Sequence, residues 1–513
     1  MKTIKSIKYL LIYFPMAVLI FWSCGEDWLE IDPISMDSPE NLKGEPAEVM
    51  KLSLATAYNS VTYCYPWGAS SWVNFNCSSG DVNVGGGAAG DRVEYEEMAD
   101  FTRLNPASLS PTYLWEKNFR GIRNINQMLI DYRDAAKTET IEAIKGESKI
   151  LRCYFYFDMV RLFGDVPYFT EDTSYNTEGL RTDADVVLDS LIGTIKSNVH
   201  FLKRKDANGK FNYDAAHVLL AKIYLWKKNY VDAAAALDTV ILGTKYLLQD
   251  NYADVCAYNR QFNTEVIFCT KPKSTGNNSS WDSWASLYNI DIKLCGIRDF
   301  VDTKTGSESI VSGWGFLKPR KDIVDAYIAA DDMIRLNANI WLADPDLTDY
   351  IPYFDEPLYD RSTKTADGRL SYAGDVYGYE GFFRKKYANS FGLIREGDWV
   401  DMSMIIYRYA DVLLLRAECA LNGADGDADA LINQVRARVS LDPLTGATME
   451  DLKLERRLEL AFEFDRYFDL VRWGDAATAL AGNGYDPSKN GLFPVPQIEI
   501  DLSSGVLTQN PGY

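Results

Sequence analysis

Two groups of aromatic side chains stand where the chain is rich in Gly, Ser and Asn. Trp67, Trp72 and Phe75 lie in "YCYPWGASSWVNFNCSSGDVNVGGGAAGD", with Asp81 and Asn83 just beyond them. Trp281, Trp284 and Tyr288 lie beside Asn277, Asn278 and Asp282, and Trp314 follows in "GWG". A flat ring offers an apolar face, and the Asp and Asn beside it offer hydrogen-bond partners. A sugar ring has the matching parts: apolar C–H faces and hydroxyl edges. These segments are too polar and glycine-rich to bury every ring as core. For a single tryptophan, a core role and a ligand role are equally open. As a group, some are expected at an exposed site.

Catalytic chemistry has little raw material. The two histidines, His200 and His217, both fall in helical stretches and neither lies near a cysteine. That disfavours a histidine-based triad, a zinc site and any other metal centre. Paired carboxylates for glycoside hydrolysis carry no signal, because 73 acidic residues supply pairs everywhere. The stretch "DGDAD", Asp425–Asp429, begins like a calcium loop. It then places Ala430 where Gly is needed and Arg436 where the bidentate Glu belongs, and reads as a polar hairpin loop. "GGGAAGD" lacks the Lys-Ser/Thr ending of a phosphate loop and reads as a flexible rim. No residue pattern calls for a cofactor.

Eight cysteines are present. None forms C-x-x-C. Cys153 and Cys419 lie in helical patterns and are expected as small buried hydrophobes. Cys64 and Cys77 could close a loop as a disulfide, which spacing leaves open. The formal charge of −20 becomes −23 without the three lysines of the leader. A chain this acidic suits neither nucleic acid nor anionic lipid, which are bound through Lys and Arg.

The leader itself is "MKTIKSIKYLLIYFPMAVLIFWSC". Lys2, Lys5 and Lys8 precede an uncharged run, Tyr9 to Trp22, too short for a confident spanning helix of about 20 residues. Ser23 and Cys24 end it. Residues 1–23 thus have the form of a secretory signal peptide. The junction resembles the lipobox of bacterial lipoproteins, whose cysteine is acylated and becomes the mature N-terminus; Phe21 and Trp22 are bulkier than its usual residues. The other reading is an ordinary signal peptide followed by an unrelated cysteine.

The scaffold that must position the loops is helical. The patterns predict helices from Glu45 to about Asn59, through "YLWEKNFRGIRNINQMLIDY", and through "IEAIKGESKILRCYFYFDMVRLF" up to the stop at Gly164 and Pro167. In "NYDAAHVLLAKIYLWKKNYVDAAAALDTVI", Ala221 and Ala233 flank a break at Lys227–Asn229. Small residues so placed let two helices approach, as in a tetratricopeptide-type hairpin. "RYADVLLLRAECALNGADGDADALINQVRARV" repeats the idea with Ala417 and Ala430. Two unrelated hairpins would look similar. Between these pairs, residues 250–400 lose periodicity, with short possible strands such as "EVIFC". So long an irregular insert is usually functional. The block "LERRLELAFEFDRYFDLVRWG" is apolar almost all round, so its charges, including Glu455, Asp465, Arg466, Asp469 and Arg472, need buried partners. A structural ion-pair network explains them better than a catalytic carboxylate.

Seven segments together resemble the SusD/RagB family of bacterial outer-membrane lipoproteins. They are "CGEDWLEIDP", "LWEKNFRGIRNINQML", "GESKILRCYFYFDMVRLFGDVPYF", "AAHVLLAKIYLWKKNYVDAAAALDTVI", "IIYRYADVLLLRAECALNG", "ERRLELAFEFDRYFDLVRWG" and "LFPVPQIEIDLSSGVLTQNPGY", in the family's order. The resemblance implies a mostly α fold, with tetratricopeptide-like helix pairs as a scaffold for a large loop-rich, irregular region with a few short strands. It implies an N-terminal region, 24–245, holding the first binding loop, and a C-terminal region, 246–513, holding the insert. It implies non-catalytic capture of oligosaccharide or polysaccharide at the outer membrane and delivery to a SusC-like TonB-dependent transporter. Cys24 would be the lipid anchor and "GED" behind it part of the address. The family's glycan site is built from loops in the two aromatic regions, which covers Trp67, Trp72, Asp81, Asn83, Trp281, Trp284, Tyr288 and Trp314. A surface glycoside hydrolase and a binder of peptides remain as alternatives.

Overall fold

The computed structural model describes residues 45–61, 70–173, 181–204, 209–257, 260, 262–270, 290–298, 312–361, 377–387 and 402–513. Cys24, Cys64, Trp67, Trp281, Trp284 and Tyr288 lie outside these residues. The first helices are α1 (Pro46–Tyr58), α2 (Ser71–Cys77), α3 (Val93–Ala99), α4 (Leu109–Asp131) and α5 (Glu139–Phe163). Then come α6 (Ala184–Asn198), α7 (Tyr213–Trp226) and α8 (Tyr230–Ile241). The insert carries α9 (Ile290–Cys295), α10 (Lys321–Ala329) and α11 (Met333–Asn339). The C-terminal part holds α12 (Tyr409–Leu421), α13 (Ala428–Arg438), α14 (Met449–Glu459), α15 (Arg466–Trp473), α16 (Ala476–Ala479) and α17 (Gln497–Leu502). The fold is mostly helical, as the sequence patterns require. No helix among the described residues is long and apolar enough to cross a membrane.

Local chemistry sets the helix ends. Thr138 accepts a hydrogen bond from the Ile141 amide at the start of α5, and Gly164, at φ 71°, ends it. Asn212 and Asn229 cap α7 and α8 in the same way. Ala221 and Ala233 are both fully buried, and α7 packs on α8. The second pair closes differently. Ala417 is buried, but Ala430 is exposed, and α12 meets α13 through Ile432 and Val435 instead. α12 also packs on α8, so the two pairs stack although a long insert separates them in sequence. Arg416 of α12 reaches Asp238 of α8 at 2.7 Å across that joint.

Short two-stranded ribbons tie the insert to the helices. β1 (Val82–Gly85) pairs antiparallel with β5 (Phe316–Pro319), and β2 (Val266–Cys269) with β8 (Ile405–Arg408). β3 (Ile297–Arg298) and β4 (Ser312–Gly313) run parallel, while β6 (Ile340–Leu342) and β7 (Phe382–Arg384) are antiparallel. Cys77 is a free, buried thiol, its suggested partner Cys64 lies outside the described residues, and Cys153 and Cys419 are buried as expected.

The C-terminal apolar block is not one helix. It breaks after Glu459 and resumes at Arg466, with Phe462 in the left-handed region at φ 63°. The break frees backbone carbonyls for distant donors. Phe462 accepts from the Trp72 indole, and Ala461 from the Lys386 ammonium. Its charges are paired as an ion network. Glu459 faces Arg335 at 2.9 Å, Arg408 at 2.5 Å and also Arg438. Glu455 meets Arg335 at 2.7 Å and Arg436 at 3.1 Å. Asp469 meets Arg456 and Arg472, both at 2.8 Å, and Asp465 meets Lys222 at 2.6 Å.

Candidate functional site

The pairing of β1 with β5 decides what the first aromatic loop can do. Trp72 does not reach that surface. It sits on α2, wholly buried, where its indole nitrogen donates to the Phe462 carbonyl at 2.7 Å. Tyr387 meets its ring edge-on at 5.8 Å, and the Arg384 guanidinium lies 4.7 Å from the ring centre. "SWVNFNC" forms a short, wholly buried helix in which Asn74 and Asn76 donate back to the Ser70 and Trp72 carbonyls. Its expected place at a binding surface therefore gives way to a core role. Asp81 is corrected likewise. It is buried against Arg457 at 2.6 Å and Arg466 at 3.6 Å, which fixes the start of β1 and leaves no open carboxylate.

Asn83 and Trp314 belong to the two facing segments of one ladder. In the β1–β5 ladder Asn83 stands opposite Lys318 and Gly85 opposite Phe316. The ladder runs on, with the Gly86 amide donating to the Gly315 carbonyl at 2.9 Å, beside Trp314. Trp314 is half-buried. A third segment joins the seam, because the Tyr377 amide donates to the Gly86 carbonyl at 3.1 Å and Tyr377 is 45 % exposed. The Asn83 amide donates to the Gly378 carbonyl at 3.0 Å and to Glu380 at 2.6 Å. Glu380 also accepts from the Lys321 amide at the start of α10, at 2.6 Å.

The glycines are what let these segments meet. A Cβ on Gly85 would fall 2.3 Å from the Gly315 oxygen, and one on Gly87 would fall 2.4 Å from the Arg298 guanidinium. The rim expected to be flexible is thus closely packed at Gly85–Gly87. Beneath it lies Lys318, buried, its ammonium 3.4 Å from the Phe383 ring centre. Burial holds the Lys318 pKa well below the usual lysine range, and the nearby Arg384 and Arg298 charges push it the same way. Burial pushes the nearby Asp291 carboxyl up to about 6.

The seam therefore carries a half-buried indole and an exposed phenol on a backbone tied together by Asn83 and Glu380. Tyr377 was missed by sequence reasoning. The signal was available in "VYGYEGFF", where aromatics again flank a glycine. Of the histidines, His217 Nδ1 lies 2.8 Å from the Tyr213 carbonyl, and His200, exposed, packs on its neighbour Phe201.

Comparison with known proteins bears on what such a seam is for. A family model described as "SusD family" matches residues 264–491, and one described as "Starch-binding associating with outer membrane" matches residues 79–225. A SusD-like protein of Formosa agariphila is 24 % identical, over 97 % of this chain and 98 % of its own length. A solved "Laminarin binding SusD-like protein" is 27 % identical with a TM-score of 0.76, over 91 % of this chain and 99 % of that one. Surface glycan-binding protein A from Bacteroides thetaiotaomicron, solved with laminarihexaose, is 24 % identical with a TM-score of 0.77, over 90 % and 99 %. Helix pairs, loop-built seam and matches spanning almost the full length agree, and the chain belongs to the SusD/RagB family.

Proposed function

We propose that this protein is a non-catalytic glycan-binding lipoprotein of the outer membrane. It holds oligosaccharide at the seam and passes it to a SusC-like TonB-dependent transporter. The observation that carries the reading is the meeting of three distant segments, those of Asn83, Trp314 and Tyr377, along one hydrogen-bonded rim. Trp67, Trp281, Trp284 and Tyr288 are proposed as further stacking residues on the strength of their sequence setting. The laminarin binding of the similar SusD-like protein supports a glycan as ligand. A binding role also fits the acidic side chains of the C-terminal block. Glu455, Glu459 and Asp469 are held by buried arginines and cannot serve as a free acid and base. An acyl group on Cys24 would contribute about 0.8 kcal/mol per buried CH₂, so two or three chains anchor durably.

The test is calorimetry with laminarihexaose and a panel of other oligosaccharides, run on the parent and on Trp314→Ala. Loss of a stacked ring should weaken binding by about 2 kcal/mol, roughly thirtyfold, with the melting temperature kept. New reducing ends in the same mixtures, or a variant that binds like the parent, would sink this reading.

A further inference from the structure

One concavity shares no residue with the seam. It is a cleft of about 530 Å³ between α4 and the C-terminal tail, within the size range of about 300–1,000 Å³ typical of ligand sites. Trp115, Phe119 and Phe169 supply aromatic walls, and Leu502 stands at the mouth. The rim is unusually apolar for a surface. Leu502 is 75 % exposed and Ile498, one helical turn before it on α17, is 54 % exposed. Val506, just beyond α17, is 40 % exposed. Exposed aliphatic side chains next to an aromatic cleft mark a contact surface rather than random scatter.

The charges in the cleft are arranged by sign. Glu116 and Glu499 share it, and neither is in a salt bridge among the described residues. Glu499 is partly buried, and burial followed by the Glu116 charge pushes its pKa up, with Trp115 as a hydrogen-bonding neighbour acting the other way. Arg120 and Arg123 line the cleft further along α4. Seven residues separate Glu116 from Arg123, which on a helix is roughly 10 Å at 1.5 Å per residue. The cleft is therefore acidic at one end, basic at the other and aromatic between.

We propose that this cleft docks an extended segment of a partner polypeptide. A cationic side chain would sit at Glu116 and Glu499, apolar side chains would lie over Phe119 and under Leu502, and an acidic group would lie toward Arg123. The cation relieves the repulsion between the two carboxylates. The aliphatic rim gains from burying apolar side chains and nothing from hydroxyls, which favours a polypeptide over a sugar. About 10 Å corresponds to three residues of extended chain, so the two charges fall at positions i and i+3.

The test uses two blocked tetrapeptides, acetyl-Lys-Leu-Phe-Asp-amide and acetyl-Glu-Leu-Phe-Asp-amide, titrated into the full folded protein. The lysine peptide should bind at least tenfold more tightly. In the double variant Glu116→Gln and Glu499→Gln that preference should vanish while the melting temperature stays at or above the parent's. Phe119→Ala should weaken both peptides, and laminarihexaose should displace neither. Equal binding of the two peptides, binding of neither, or displacement by the sugar overturns the proposal. A protein that ignores every oligosaccharide of the panel yet prefers the lysine peptide would refute glycan binding and leave this cleft standing.

Discussion

Trp72 and Trp314 are the same residue type in similar glycine-rich settings, yet the fold buries the first wholly and the second only in part. Trp72 donates to a carbonyl freed by the break after Glu459 and is enclosed by Tyr387 and Arg384. Trp72→Ala should therefore cost about 3–5 kcal/mol of stability, seen as a lower melting temperature in a thermal scan. A variant that melts like the parent but loses glycan would return Trp72 to the binding surface. Asp291 gives a pH-dependent test. Its carboxyl titrates at about 6 in the fold, because burial disfavours the charged form, against about 3.9 when unfolded. The folded state thus binds the proton more tightly. Its stability gains as pH falls from above 6 towards 4, and the charged form is a liability at pH 7. Asp291→Asn should be more stable than the parent at pH 7, by up to about 3 kcal/mol, with the difference closing near pH 4. Urea unfolding of both proteins across that range checks it. A difference independent of pH would show that Asp291 does not titrate there. None of this was legible from residue types, since both Trp72 and Asp291 owe their roles to residues far away in sequence.

At the scale of elements, the helices were largely legible. The predicted segments appear as α4, α5, α7, α8, α12 and α13, because apolar spacing and capping residues act within a few positions. The break between α14 and α15 was not. The apolar run crosses it without interruption, and its reason is tertiary: Tyr252, Lys386, Arg408 and Trp72 take carbonyls from Glu459 to Phe462. The same junction concentrates charge. Burial alone would raise the Glu459 pKa, but Arg438, Arg408 and Arg335 hold it well below the usual carboxylate range. Glu459→Gln would leave those three guanidiniums short of one carboxylate. We expect a loss of about 3–5 kcal/mol in chemical denaturation, although each arginine keeps another acidic partner. The sign in pH is opposite to that of Asp291. The contribution of Glu459 is present above its unfolded pKa of about 4.3 and is lost as pH falls through the lower folded value. The variant should therefore show a shallower loss of stability below pH 4 than the parent, and an equally steep loss would show that other carboxylates govern acid unfolding.

For the whole molecule, anchoring is the property most open to a direct test. Cys24→Ala should release the protein from the outer-membrane fraction into the soluble fraction, because the leader and its cysteine are the proposed anchor. Retention equal to the parent's would show that something else holds it there. The acidic balance, the leader, the helix positions and the likeness to one family were all determined by the sequence itself. Each rests on composition or on patterns repeated within a few residues. Which rings face water, and which carboxylates are spent on structure, only the tertiary structure decided. Asp81 is neutralised by Arg457, 376 residues further on, and Asn83 meets Lys318 only because β1 pairs with β5. Burial and ion pairing depend on what the rest of the chain brings to a point, and no local pattern encodes that distance.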